Sequence, residues 1–227
     1  MSARITVVSV IDAVTADLRR RILEGELEPD TALAEIEVAA AYDVARPTAK
    51  VAIENLVRER ILERSAHKTA RVIRLTPEDA RDIYISREVV EAEVLRRLAR
   101  TRQAPADARA ANADIAALID ASPREIVEPD MRFHAALIDA VGSPRLSRTY
   151  NLLASEVVFC MSQVQGAQLL PTSLIAAEHA RILELIEEGE GDAAAALLAV
   201  HIGRARELLA ERLGGQAGPE ALAPPTV

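Results

Sequence analysis

At 227 residues, with 27 basic and 35 acidic side chains and a net charge of −8, the chain is long enough for two modest domains and is acidic as a whole. Aromatics make up 2% of the residues, which removes the stacking platforms used on single-stranded nucleic acid, and the single cysteine, Cys160, excludes an intrachain disulfide and fits a reducing cytoplasm. The apolar run from Ile5 to Ile11 is too short to cross a bilayer and is stopped by Asp12, so a soluble cytoplasmic protein without membrane contact is expected.

The charge is unevenly placed. Residues 1–75 hold 12 basic and 12 acidic side chains, whereas residues 76–227 hold 15 and 23. Between Ala41 and Arg74 there are eight basic residues against four acidic ones. Such a local basic stripe can bind phosphate without making the rest of the chain adhesive.

From Val10 to Glu24, apolar residues at Val10, Ile11, Val14, Leu18, Ile22 and Leu23 form a helical stripe that Gly25 closes. A second helix is expected at about 35–42 and a third at about 47–60, joined by Asp43-Val44-Ala45, with Pro47 in the first turn where its missing N–H costs nothing. Residues 61–64 and 71–74 then read as two short strands around Ser65 to Ala70. Two short helices joined by a tight turn and followed by a hairpin make a winged helix-turn-helix, a module that places its second helix in the major groove. Arg46 and Lys50 lie one turn apart at the start of that helix, where side chains reach base edges or phosphates, and Lys68, Thr69 and Arg71 would arm the wing. Arg58, Arg60 and Arg64 read equally well as a solvated face.

Thr76-Pro77-Glu78-Asp79 is a helix start, with Thr76 as N-cap, and it sets a domain boundary after residue 75. The remainder reads as six helices, at about 77–101, 106–121, 124–141, 144–165, 172–189 and 191–213, with breaks at Pro105, Pro123, Pro144, Pro171 and Gly189–Asp192. The expected architecture is therefore mainly α: a winged helix-turn-helix over 1–75 followed by an all-α six-helix bundle over 76–213. Residues 214–227, with two consecutive prolines and no period, read as a disordered tail.

Three of the four histidines fall into one constellation. Asp130 and His134 are at i, i+4 on one helix face, a chelating spacing. His179 lies eleven residues before Glu190 and His201 eleven after it, so a tight turn there would bring the two level, about 16 Å along each helix at a rise of 1.5 Å per residue. Imidazole and carboxylate donors suit zinc, nickel or another borderline divalent ion, and one ion per chain held by Asp130, His134, His179 and His201 is expected.

With these features in hand, the chain resembles the GntR superfamily of bacterial transcription regulators, in the fatty-acid-regulator-like (FadR-type) subgroup with an FCD C-terminal domain. The resemblance covers about residues 10–213. It is carried by Leu18-Arg19-Arg20-Arg21-Ile22-Leu23-Glu24-Gly25-Glu26-Leu27, by Ala45-Arg46-Pro47-Thr48-Ala49-Lys50, by Arg87 and Glu91, by Asp130…Phe133-His134, and by His179…Ile182…Ile186…Gly189…Asp192…Ala196…His201-Ile202. Six bundle helices are similar to the vanillate-regulator-like branch. The resemblance implies that Thr48 joins Arg46 and Lys50 in touching DNA and that Arg87 is an inward-facing arginine that clamps an effector carboxylate; Arg87 also reads as a surface residue paired with Glu91 at i, i+4. The chain departs from the family at Ile36, where a DNA-contacting arginine is usual, at Asp30 in place of the glycine of Pro-Gly, in the order Pro47-Thr48, and in a wing without glycine.

The expectation that follows is a metal-containing repressor that binds double-stranded operator DNA as a homodimer and is released by a small organic acid. Two alternatives stay open: a metal-dependent enzyme of the helical bundle, and a regulator whose metal is purely structural.

Overall fold

The computed structural model describes residues 9–65, 68–118, 123–163 and 170–216, and its contacts divide the chain into two compact units, Met1–Arg74 and Leu75–Val227. The expected tail falls outside the described residues from 217 onward, as do the expected helical extensions at 119–121 and 164–165.

The first unit holds α1 (Val10–Leu23), β1 (Ala32–Leu33), α2 (Glu35–Ala41), α3 (Arg46–Arg58), β2 (Leu62–Glu63) and β3 (Ala70–Val72). Ser9 starts α1 by accepting the Asp12 N–H at 3.1 Å. One stripe of α1, Val14, Leu18 and Ile22, is buried together with Ala49, Ala52, Ile53 and Leu56 of α3, and these two helices pack on each other. Arg19 of α1 closes the edge of this contact with a two-pronged bond to Glu59, at 2.7 and 2.8 Å.

The sheet has the order β1-β3-β2 and is antiparallel throughout, with Leu33 opposite Ala70 and Leu62 opposite Val72. β1 escaped the sequence reading because two residues cannot display an alternation. β2 and β3 are shorter than the expected strands, and α3 begins at Arg46, one residue before Pro47, without a side-chain cap. Asp30, the substitute for glycine, adopts the positive φ (+71°) that glycine would take. Its N–H bonds the Val72 carbonyl at 2.9 Å, and its carboxylate accepts Arg74 Nε at 2.7 Å.

The second unit holds six helices among the described residues: α4 (Pro77–Thr101), α5 (Ala106–Ala117), α6 (Pro123–Asp139), α7 (Pro144–Gln163), α8 (Thr172–Glu188) and α9 (Gly191–Arg212). A capping box starts α4, with the Thr76 hydroxyl accepting the Asp79 N–H at 3.1 Å and Asp79 accepting the Thr76 N–H at 2.8 Å. The helix expected over 106–121 stops at Ala117, because Leu118 leaves helical backbone with ψ +102°.

The longest helices, α4 and α9, form the most extensive contact in the bundle, and α6, α7 and α8 also pack on α4. Close approach of α9 to α4 depends on Gly191, where a Cβ would stand 2.9 Å from the Arg96 Cα. Gly189 ends α8 at φ +83°, with the Glu190 N–H on the Leu185 carbonyl at 2.9 Å, so α8 and α9 are joined by two residues only. That short link forces the two helices into an antiparallel hairpin, which fixes what α8 presents to α9.

Candidate metal centre and nucleic-acid interface

Asp130 and His134 come from α6, His179 from α8 and His201 from α9. All four are buried, and one ligand atom from each lies within 4.8 Å of all the others. The atoms that converge are the Nε2 nitrogens and one carboxylate oxygen. His179 Nε2 is 3.3 Å from His201 Nε2 and 3.6 Å from Asp130 Oδ1, and His134 Nε2 is 3.9 Å from the same oxygen. An ion bound at about 2.0–2.2 Å by several donors sets neighbouring donors roughly 3–4 Å apart, and these pairs fall in that range. Pro129, inside α6, withholds an N–H from the helix one residue before Asp130.

The far nitrogen of two of the rings is fixed by a carboxylate. His134 Nδ1 lies 2.6 Å from Glu91 Oε2, and His201 Nδ1 lies 2.8 Å from Glu178 Oε2. With the proton on Nδ1 directed at the carboxylate, each ring turns an Nε2 lone pair into the cluster, and His134 Nε2 has no hydrogen-bond partner among the described residues. The third ring, His179, is held by stacking on Phe133, with centroids 3.7 Å apart and planes 4° from parallel. Burial pushes the His134 and His179 imidazoles below their ordinary value; the imidazoles of His201 and His134 and the charge of Arg87 add to this for His179, which lies well below it. Buried imidazoles facing one another around a carboxylate oxygen are a donor set that fits a divalent cation.

Each carboxylate is anchored in turn by a buried arginine. Glu91 accepts Arg87 Nε at 2.6 Å and the Tyr150 hydroxyl at 2.5 Å, and Glu178 accepts the guanidinium of Arg204. Burial opposes the charge on Glu91, but His134, Arg87 and these hydrogen bonds outweigh it and hold the carboxyl at about 2. Two chains therefore run inward, Arg87–Glu91–His134 and Arg204–Glu178–His201. Arg87 is 3% exposed, which corrects the surface alternative while keeping its Glu91 partner, and its NH2 nitrogen has no hydrogen-bond partner among the described residues. Sequence reasoning missed Glu178, Tyr150 and Arg204. Arg204, one turn from His201 on α9, carried the only signal.

In the first unit, Arg46 and Lys50 are exposed on the opening turns of α3, and Thr48 between them is half-buried. Arg46 Nε lies 3.3 Å from Glu35, and Lys50 Nζ lies 3.8 Å from Glu54. Lys68, Thr69 and Arg71 are exposed on the wing, where Arg71 also donates to the Asp30 carbonyl at 2.8 Å.

The family models match both units: "Bacterial regulatory proteins, gntR family" over residues 10–72 and "FCD domain" over residues 82–204, the latter more than half of the chain. Among curated proteins, the chain is similar to an uncharacterized HTH-type transcriptional regulator, BphR, of Paraburkholderia xenovorans, at 27% identity over 64% of this chain. It is also similar to the gluconate operon transcriptional repressor of Bacillus licheniformis, at 38% identity over 38% of this chain. These matches span 63% and 35% of the relatives' own lengths. Among solved structures, a GntR transcriptional regulator from Rhodococcus sp. RHA1 has a TM-score of 0.65 at 24% identity, covering 92% of this chain and 100% of its own. E. coli McbR/YncC reaches 0.67 at 16% identity, covering 91% and 99%. These two support the fold. The relatives are transcription regulators and not enzymes, and no helix among the described residues is long and apolar enough to cross a membrane. The two family matches fall one on each compact unit, and the chain belongs to the GntR family of bacterial transcription regulators, in the group that carries an FCD domain.

Proposed function

We propose that the chain is a metal-containing repressor that binds operator DNA as a homodimer and is released by a small organic acid. The observation that carries the effector part is the Arg87 NH2 donor, buried without a partner among the described residues; the His134 Nε2 lone pair, also without one among them, is left to the ion. A buried unsatisfied donor or acceptor costs about 1–3 kcal/mol, so a cation that takes the lone pair and an anion that accepts from Arg87 are each favoured.

Asp130, His134, His179 and His201 would hold one divalent ion, zinc or nickel, which supplies positive charge and open coordination positions to an anion. Glu91 and Glu178 keep the proton of His134 and of His201 on Nδ1, leaving Nε2 free to ligate. Arg87 keeps its Nε on Glu91 and offers NH2 to a carboxylate. A carboxylate that engages Arg87 touches α4, the helix that packs on α6, α7, α8 and α9. A tenfold change in DNA affinity then needs a preference of about 1.4 kcal/mol for one packing of the bundle.

Arg46, Thr48 and Lys50 of α3 would enter the major groove, with Lys68, Thr69 and Arg71 of the wing on flanking backbone. A homodimer matches two half-sites, as small recognition modules require. The second reading, a purely structural ion, draws support from the four protein donors, enough to saturate a tetrahedral site. Metal analysis of untagged protein, followed by thermal shift with mono-, di- and tricarboxylates, separates the two. The proposal expects near one ion per chain and acid-dependent stabilisation that disappears in Arg87→Met and after chelation. Stabilisation that survives both would place the acid elsewhere, and one ion with no acid response would leave the structural reading.

A further inference from the structure

Among the described residues, Ile36 is the most exposed large apolar side chain, at 69%, and it lies in the first turn of α2. The apolar face that α2 needs for packing is supplied by Val38, which is buried, so Ile36 is spare with respect to the fold. Its neighbour Glu35 receives Arg46, the first residue of α3, and this ion pair brings the beginnings of α2 and α3 together. On α3 the packing residues are Ala49, Ala52, Ile53 and Leu56, and Val51, 36% exposed, belongs to the outer face beside Lys50. Two apolar side chains thus flank the two cations on the end of the helix pair that a helix-turn-helix presents to DNA.

Both cations are already matched by acids, Arg46 by Glu35 and Lys50 by Glu54. That lowers the net positive field of this face and shifts discrimination towards uncharged contacts. In the major groove the one apolar marker on a base edge is the thymine C5 methyl, and apolar side chains are its natural reader. We propose that Ile36 and Val51 read thymine methyl groups in the operator, so that sequence is recognised here by removing methyl surface from water. This inference rests on the DNA-binding reading of α3 and adds the bases that it selects.

The test begins from random DNA. Duplexes that bind the full-length protein are selected from a randomised pool, and each selected thymine is then replaced by deoxyuridine, which removes only the methyl. Burying one methyl-sized group changes affinity by about fourfold. The expected result is one thymine per half-site whose replacement weakens wild-type binding about fourfold and leaves binding by Ile36→Ala unchanged, and a second with the same relation to Val51→Ala. Both residues are exposed, so the variants keep the fold, and an unchanged melting temperature checks this. Equal deoxyuridine penalties in wild type and variants at every position, or no penalty anywhere, overturn the proposal while leaving DNA binding intact. A pool that yields no enriched sequence overturns both readings.

Discussion

Glu91 Oε2 and His134 Nδ1 stand 2.6 Å apart in the closed interior of the bundle, and this bond decides which nitrogen of His134 faces Asp130 and His179. A carboxylate in this position fixes the ring's tautomer and orientation and raises its basicity, effects that are worth about 10- to 100-fold in metal affinity. Glu91→Gln and Glu178→Gln are each expected to lower affinity for zinc by that factor, measured by competition with a chromogenic chelator. The helical circular dichroism should persist in the glutamines, which still accept a hydrogen bond. Wild-type affinity in both variants would show that the two carboxylates serve only to neutralise Arg87 and Arg204.

The legible parts of this molecule were those written in local periodicity. The six bundle helices, their proline breaks and the Thr76–Asp79 cap are all short-range patterns, and so is the i, i+4 pair of Asp130 and His134. Even the meeting of His179 and His201 followed from a local feature, the two-residue link at Gly189 and Glu190. The supporting residues were not local. Glu178 adjoins His179 in sequence but leaves the helix about 100° away from it, so nothing in α8 alone says that it meets His201 and Arg204 of α9. Tyr150 reaches Glu91 from another helix 59 residues away. The strand β1 was invisible for a different reason: at two residues it exists through its pairing with β3.

The metal-free protein should lose stability in two separate acid windows. His134 and His179 are held below the ordinary imidazole value of 6.5, first by burial. The unfolded chain therefore binds more protons than the folded one as pH falls below about 6.5, and folding stability falls with it. Glu91 acts lower down. Its stabilising contribution is present above 4.5 and is lost as pH falls from there towards 2. Chemical denaturation as a function of pH checks this: His179→Leu should flatten the upper window and leave the lower one in place. Bound zinc should raise stability and make this upper loss steeper and extend it to lower pH, because the ligated imidazoles stay unprotonated while the unfolded chain still takes up protons from about 6.5. Identical pH profiles for wild type and His179→Leu would count against a buried neutral His179.

Asp30 provides a test of the backbone conformation in the first unit. Its φ of +71° is strained for most side chains but open to glycine, and its exposed ion pair with Arg74 is worth about 0–1 kcal/mol. Asp30→Gly is therefore expected to be within about 1 kcal/mol of wild type, the relief of strain offsetting the lost pair. Asp30→Val, which adds a β-branched side chain at a left-handed position and keeps no carboxylate, should cost about 1–3 kcal/mol. Urea denaturation followed by far-ultraviolet circular dichroism gives both values. A valine variant as stable as the glycine one would mean that this turn relaxes to a negative φ.

On DNA, Lys50 has to choose between Glu54 and the duplex. The two are 3.8 Å apart with half-exposed side chains, so the intrahelical pair contributes at most a few tenths of a kcal/mol and yields readily to a phosphate or a base. If Lys50 reaches a base edge, Lys50→Ala weakens binding by about 1–3 kcal/mol on the selected sequence and relaxes preference at one position. If it reaches a phosphate, the loss is smaller, uniform over sequences, and the slope of log affinity against log salt falls by about 1. Glu54→Gln should act in the opposite direction in either case, because it frees Lys50 and removes a negative charge beside the phosphates. Glu35→Gln should do the same for Arg46, and more strongly, since Glu35 also holds Arg64 at 3.5 Å. Titrations of labelled duplex over a series of salt concentrations separate these outcomes. Affinity and salt slope that both stay at the wild-type level in the Arg46→Ala, Lys50→Ala double variant would remove α3 from the DNA-binding surface.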